Sequence, residues 1–341
     1  MEEKKNIRFA VVGCGHIGKR HAEMITREPH AELVALCDIR SKEEVDIKAY
    51  PVPFFSSIEA LLSSDLAIDV VNICVPNGLH ASMAIKAIKT NHHVVIEKPI
   101  TLTVADAEKV VYTSLKYRKQ VFCVMQNRYS PPSVWIKEMV ESGQLGEIYI
   151  VQLNCYWNRD ERYYKKGSWH GNQQLDGGTL FTQFSHFIDI MYWLFGDITD
   201  IQARFADFNH QQLTDFEDSG LVNFRFINQG IGTLSYSTSI YDKNMESSLR
   251  IIAEKGSVKI GGQYMNEVEY CHIKDYKMPT LPPTNPGNDY GVYKGSAQNH
   301  NYVIRNVVNV LSENSSAQIT TNVLEGLKVV DIIERIYQQK K

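Results

Sequence analysis

The chain has 341 residues, 43% of them hydrophobic, with 36 Lys and Arg against 39 Asp and Glu for a formal net charge of −3. That length has room for two domains of ordinary size and a substantial core, and the charge balance supplies no basic field for nucleic acid. No apolar run reaches the roughly 18–20 residues of a membrane span, and the start MEEKKNIR enters an apolar pattern directly, so neither a leader peptide nor a membrane is expected, and a cytoplasmic location is.

Short apolar runs at 7–12, 32–37, 69–75, 93–96 and 121–125 alternate with helical patterns at about 17–28, 79–90 and 103–118. Such runs suit parallel strands buried on both faces. The alternation predicts an α/β, doubly wound Rossmann domain over residues 1–125, with ligand at the carboxyl ends of its strands. Its first turn reads Gly13-Cys14-Gly15-His16-Ile17-Gly18. Gly13 permits the tight turn, Gly15 lets the backbone approach a pyrophosphate, and Gly18 lets helix and strand pack closely. The helix N-terminus at His16 and Ile17 favours the phosphates. Asp38, followed by Ile39, lies twenty residues beyond Gly18, where a carboxylate takes the adenosine ribose 2′-OH. It would repel a 2′-phosphate, which argues for NAD; Arg40 keeps NADP open.

Two further strand ends carry polar residues. One reads Val75-Pro76-Asn77-Gly78-Leu79-His80, placing Val75, Pro76, Asn77 and His80 where ribose and phosphate would lie; helix capping and a surface histidine are the plainer alternative. The other reads Glu97-Lys98-Pro99, with Glu97 and Lys98 expected beside the cofactor. Desolvation penalises an ammonium at an enclosed strand end. Lys98 is therefore expected to meet a developing negative charge, such as an alcohol oxygen losing its proton.

Beyond residue 125 the pattern changes. A helix at about 131–142 leads to a strand at 147–157, and a second helix at about 179–195 carries Leu180, Phe181, Phe184, Phe187 and Ile188. Strand-like runs follow at 199–208, 218–227, 230–240, 247–254 and 257–260, joined in part by turns at Asn228-Gln229-Gly230 and Glu254-Lys255-Gly256. Short turns between consecutive strands predict a mostly antiparallel sheet and an α+β domain over 126–341. Residues 276–296, with Pro279, Pro282, Pro283 and Pro286, read as a long loop before helices at 298–312 and 322–337. Phe224, Phe226, Leu234 and Ile251 are assigned to an exposed sheet face, a patch that a second copy would cover. Six cysteines stand singly, which predicts buried reduced thiols. His16, His21, His92 and His93 show no metal-ligand spacing, so no metal is expected.

The glycine turn, the Pro76–His80 segment and Glu97-Lys98-Pro99, in this order and spacing, resemble the glucose–fructose oxidoreductase/inositol dehydrogenase (Gfo/Idh/MocA) family over the whole chain. The resemblance implies a Rossmann domain followed by an α+β domain with a large, mostly antiparallel open sheet. It also implies oxidation or reduction of sugars or cyclitols with NAD or NADP, with Lys98 at the reacting carbon. Many members carry an aspartate four residues before a helix histidine, and the pair moves the substrate proton. Here His186 is present and Thr182 stands in the aspartate's place. A hydroxyl cannot raise the basicity of an imidazole as a carboxylate does. Asp189, one turn on, is expected to orient a neighbour or to pair structurally.

Residues 154–171 hold five aromatics and four cations, a composition suited to an anionic ligand with a stackable ring, and equally to an oligomer contact or a solvated face. With Gln126-Asn127-Arg128, Tyr163-Tyr164, Ser168-Trp169 and Leu175-Asp176-Gly177-Gly178, it resembles the UDP-N-acetyl-2-amino-2-deoxyglucuronate dehydrogenase branch, which acts in bacterial lipopolysaccharide O-antigen synthesis. That branch implies NAD-dependent oxidation of the C3 hydroxyl of UDP-N-acetylglucosaminuronate, in some members with 2-oxoglutarate as second substrate, by a homodimer or homotetramer. It implies Gln126 and Trp169 near the cofactor, and Lys98, Arg128, Arg162, Tyr163, Tyr164, Ser168, Thr182 and His186 near the sugar nucleotide. The branch usually has Asn at the place of Thr182 and Arg at that of His170. A dehydrogenase of a free sugar or cyclitol such as inositol, and a non-catalytic NAD-binding sensor, are the two other readings.

Overall fold

The computed structural model describes residues 6–228, 230–291, 293–312 and 315–340. Gln229 of the first predicted turn and the opening residues 1–5 lie outside the described residues. Contacts divide the chain into one unit of residues up to Met125 together with His300–Val330, and another of Gln126–Asn299 together with the chain from Asp331 onward.

In the first unit, β1 (Ile7–Val12), α1 (His16–Arg27), β2 (Ala31–Cys37), β3 (Phe54–Phe55), α2 (Ile58–Leu62), β4 (Val70–Ile73), α3 (His80–Lys89), β5 (His93–Ile96), α4 (Val104–Tyr117) and β6 (Val121–Cys123) alternate as predicted. The strands pair in parallel in the order β3-β2-β1-β4-β5-β6. The order reverses between β1 and β4, the switch point at which doubly wound sheets open a ligand crevice. Phe9–Val12, Val70–Ile73 and Val94–Ile96 are buried, as helices on both faces require. Along α1, Gly18, His21, Ala22 and Ile25 make the buried stripe, a helical period with one histidine inside it. Thr103 caps α4 by accepting from the Asp106 N–H, satisfying a donor the helix itself cannot. The two-residue β3 and five-residue α2 were not foreseen, being too short to show a period.

The second unit begins with α5 (Pro131–Glu141) and β7 (Ile148–Tyr156), followed by a π-helical segment, Leu180–Phe184, that runs into α6 (Ser185–Phe195). Then come β8 (Ile198–Ala206), β9 (Ser219–Phe226), β10 (Ile231–Ser237), β11 (Glu246–Ala253), β12 (Gly256–Gly261) and β13 (Glu267–Ile273). The sheet order is β13-β12-β11-β7-β10-β9-β8, with β7–β10 parallel and every other pair antiparallel. The α/β plus α+β class is therefore as expected.

Three expectations need correction. Phe224, Phe226, Leu234 and Ile251 are buried on the face that α6 covers, where Phe195 meets Phe226 and Phe184 meets Tyr236. The period of two put them inward, and the other face shows Leu221, with Ile231 and Ile252 on either side of the half-buried Ile150. Residues 276–296 are not all loop: β14 (Gly287–Asp289) and β15 (Lys294–Ala297) pair within it. Finally, of the terminal helices α7 (His300–Leu311) and α8 (Val323–Tyr337), the stretch to Val330 clusters with the first unit rather than the second. The apolar stripe of α7 (Val303, Ile304, Val307, Val308) is buried, and Cys123 of β6 donates its N–H to Thr321 O at 3.0 Å. All six cysteines are free thiols, five of them buried.

Candidate active site

The glycine turn is built for close approach. Gly13 sits at φ +89°, and a Cβ there would meet Cys74 O at 2.5 Å. A Cβ on Gly18 would lie 1.8 Å from Gly13 O, so helix and turn touch through this glycine. Gly15 faces open space, and no side chain caps α1, as a site for a pyrophosphate on a helix N-terminus requires. Asp38 accepts from the Cys14 N–H at 2.7 Å and from Arg40 through its N–H, Nε and Nη2 at 2.9–3.1 Å. Burial pushes the Asp38 carboxyl up, but the Arg40 guanidinium and the two backbone donors outweigh it and hold it below the usual range. It stays an anion, and Ile39 beside it is 88% exposed. These residues fit a dinucleotide with a free 2′-OH.

The two polar strand ends behave differently from expectation. His80 is not at the cofactor edge. It is fully buried, with Nδ1 2.7 Å from Pro99 O and Nε2 2.8 Å from Val75 O, tying the two strand ends together. Burial lowers its pKa, against the pull of the two carbonyls, and with both ring nitrogens on backbone oxygens it has no free edge for a phosphate. Glu97 also turns inward. Its Oε1 meets His21 Nε2 at 2.9 Å and His300 Nε2 at 3.5 Å, and its Oε2 accepts the Lys98 N–H at 3.1 Å. Lys98 is half-buried, as are Val75 and Pro76, which precede the buried Asn77. The cluster around Glu97 was not foreseen because His21 and His300 lie far from it in sequence and belong to no motif.

In the second unit His186 is buried at the start of α6, with its Nε2 3.2 Å from Gln126 Nε2. Thr182 gives its hydroxyl to Asp176, whose other oxygen accepts the Gly171 N–H at 2.8 Å. Arg128 is not open to a substrate: it forms a buried two-point pair with Asp189 at 2.8 and 2.7 Å and lies over the Trp193 ring. Asp189 is thus a pairing residue.

Tyr163 and Tyr164 are likewise not ligand-facing, being buried with Phe216 in an aromatic cluster. They sit in the cation-rich loop, yet sequence position alone does not report inward packing. Arg159, of the same loop, is buried against Trp157, Tyr163 and Tyr293 at 4.8–5.2 Å and orients Gln183 at 2.8 Å. The exposed Arg162 pairs with Asp160 and Asp242. Ser168 Oγ meets His170 Nδ1 at 2.8 Å, and His170 stacks on Trp169 at 4.0 Å. Asp176, Arg159, Gln183 and His300 escaped sequence reasoning as site residues; for Asp176, the Asp-Gly-Gly run before the histidine helix was the available signal.

A parallel sheet of this strand order, a glycine turn at its switch point and an anionic Asp38 define an NAD-binding oxidoreductase. The model of the oxidoreductase family's NAD-binding Rossmann fold matches residues 7–125, and that of the GFO/IDH/MocA C-terminal domain matches residues 134–259. The chain belongs to the GFO/IDH/MocA family. It is similar to the WlbA dehydrogenase of Bordetella pertussis, solved with NADH and UDP-GlcNAcA, at 28% identity and TM-score 0.86, covering 98% of this chain and 96% of that one. The WlbA dehydrogenase of Chromobacterium violaceum, solved with the same two ligands, is 27% identical with TM-score 0.87, covering 99% and 94%. Myo-inositol 2-dehydrogenase of Thermotoga maritima is 26% identical over 274 residues, 74% of each chain. Among the described residues no helix is long and apolar enough to cross a membrane.

Proposed function

We propose that this protein oxidises the C3 hydroxyl of a UDP-sugar acid, UDP-N-acetylglucosaminuronate, to the 3-keto sugar, using NAD. The likeness over 98% of the chain to a dehydrogenase solved with NADH and UDP-GlcNAcA carries this reading. NAD, held by Gly13, Gly15, Gly18 and Asp38, supplies the hydride acceptor when bound. Lys98 and His186 are assigned the proton that leaves the hydroxyl. His186 keeps its ring directed by Gln126, and the Lys98 backbone is fixed by Glu97. Of the loop's four cations, Arg159 and Arg162 are engaged; Lys165 and Lys166 are exposed and are assigned to the diphosphate.

Positioned acid–base groups contribute about 10²–10⁴-fold, so Lys98→Ala and His186→Ala should each lose turnover on that scale while NAD still binds. A second reading, a dehydrogenase of a free cyclitol, draws on the likeness to myo-inositol 2-dehydrogenase. The test is incubation with NAD and either UDP-N-acetylglucosaminuronate or myo-inositol, with and without 2-oxoglutarate, following NADH absorbance and product masses. Faster turnover of inositol would replace the first reading with the second. Bound NAD that stays oxidised with both would favour a sensor.

A further inference from the structure

Glu97 sits at the centre of a buried polar cluster drawn from four elements of the first unit. His21 comes from the buried stripe of α1, Asn72 from β4, Glu97 from the residue just after β5, and His300 from the first residue of α7. All four are at most 6% exposed. Asn72 Nδ2 donates to His21 Nδ1 at 2.8 Å. That leaves the ring's proton on Nε2, facing Glu97 Oε1 at 2.9 Å. The three donor atoms of His21, Glu97 and His300 lie within 4.8 Å of one another, but His21 offers this centre a proton rather than a lone pair, so a hydrogen-bonded cluster is favoured over a metal. Burial pushes the Glu97 carboxyl up; the hydrogen bond from His21 and the neighbouring His300 ring more than offset this, and its pKa lies well below the usual carboxylate range. The other oxygen, Oε2, takes the backbone N–H of Lys98.

We propose that Glu97, anchored by His21 and His300, is a positioning residue that fixes the backbone from which the Lys98 side chain projects. A buried carboxylate suits this task because both its oxygens accept, so it can hold the Lys98 N–H and the His21 Nε2 proton at once, with His300 packed beside them. A carboxylate bond to an N–H is also stronger than a neutral one. His80 clamps the other side through Pro99 O, so the chain around Lys98 is gripped from both directions. His300 ties this grip to the last third of the sequence, 203 residues from Glu97.

The functional half of the inference rests on the role assigned to Lys98 above; the structural half does not. The decisive variant is Glu97→Gln, whose amide must set an N–H against either the Lys98 N–H or the His21 Nε2 proton. Hydrogen exchange read by mass spectrometry of overlapping peptides isolates the Lys98 amide, because Pro99 carries none. The Lys98 amide should exchange at least about tenfold faster in Glu97→Gln, and kcat should fall at least about tenfold, the size of one lost buried hydrogen bond. The NAD Kd and sugar KM should stay within about threefold. An unchanged exchange rate, an unchanged kcat, or a parallel loss of NAD binding each overturns the proposal. If Glu97→Gln does not fold, His300→Leu and His300→Gln replace it: Leu should show both effects, and Gln, which keeps a donor, should restore wild-type values. Should the wild-type protein oxidise no sugar at all, the assigned reaction fails, and the exchange rates alone still decide whether Glu97 holds Lys98.

Discussion

Thr182 donates its hydroxyl to the carboxylate of Asp176, six residues earlier, and also meets Asp176 O at 2.9 Å. A carboxylate that the sequence withholds from position 182 is thereby present in space, one helical turn before His186. Thr182→Val should leave the buried Asp176 short of a donor, at about 1–3 kcal/mol. We expect lower thermal stability and kcat in Thr182→Val and recovery of both in Thr182→Ser. Melting curves and turnover matching wild type in the valine variant would refute this.

The Arg128–Asp189 pair is wholly buried. Removing one partner leaves the other charge uncompensated, so Asp189→Leu should destabilise by about 3–5 kcal/mol. Combining it with Arg128→Met should recover most of that loss, because the unpaired charge goes too. Urea titrations of the single and double variants measure the difference; additive losses would contradict the argument.

Asp38 and Arg40 bear on coenzyme choice. With Asp38 intact, its carboxylate repels a 2′-phosphate and occupies the Arg40 guanidinium. Asp38→Ser removes the repulsion and frees the cation, so the Kd for NAD should rise, that for NADP should fall, and the preference should narrow or reverse. Fluorescence titration with both reduced coenzymes reads this directly. An unaltered ratio would mean that Asp38 does not meet the ribose.

Burial pushes the thiols of Cys14 and Cys37 up to about 12, with the Asp38 charge adding to the effect at Cys14. Thiolate is the reactive form, so both should resist iodoacetamide at about pH 8 in the folded protein and react on unfolding. Rapid alkylation of either, located by peptide mass, would show that the turn opens.

His210 and Asp218 form a buried pair at 3.0 Å. Burial alone would lower the His210 pKa and raise that of Asp218; the hydrogen bonds between them, with the Asn209 N–H and Ser219 hydroxyl on Asp218, reverse both directions. The histidine's contribution is complete below its unfolded value of 6.5 and is lost as pH rises through the elevated folded value. The aspartate's is complete above 3.8 and is lost as pH falls toward the depressed one. Stability from this pair should therefore peak between these limits. His210→Gln should flatten the alkaline decline in Tm between about pH 6 and 9, and an identical slope would disprove the assignment.

Much of the first unit was legible because its signals are local: apolar runs such as Val94–Ile96, the glycines at 13, 15 and 18, and Asp38 at fixed remove. Helix positions followed from period alone. What failed was direction. His80 and Glu97 stand at the expected strand ends, yet His80 bonds two carbonyls and Glu97 faces two histidines; an end-of-strand position does not say whether a side chain turns toward ligand or core. The same limit explains Tyr163, Tyr164 and Arg128. For Tyr163 and Arg128 the partners, Gln183 and Asp189, lie 20 and 61 residues away. On β9 and β10 the alternation was visible, but which parity faced α6 was not.

The return of His300–Val330 to the first unit has a consequence for synthesis. A ribosome releases β1 through β6 early, but the segment that supplies His300 and packs α7 there follows only after Gln126–Asn299 of the second unit. The second unit, whose residues are nearly all translated in between, can settle while the first still waits for its closing piece. Cutting the gene after Met125 would therefore yield a fragment with Glu97 short of a partner and an uncovered apolar flank, a poor candidate for transplanting coenzyme binding into another enzyme.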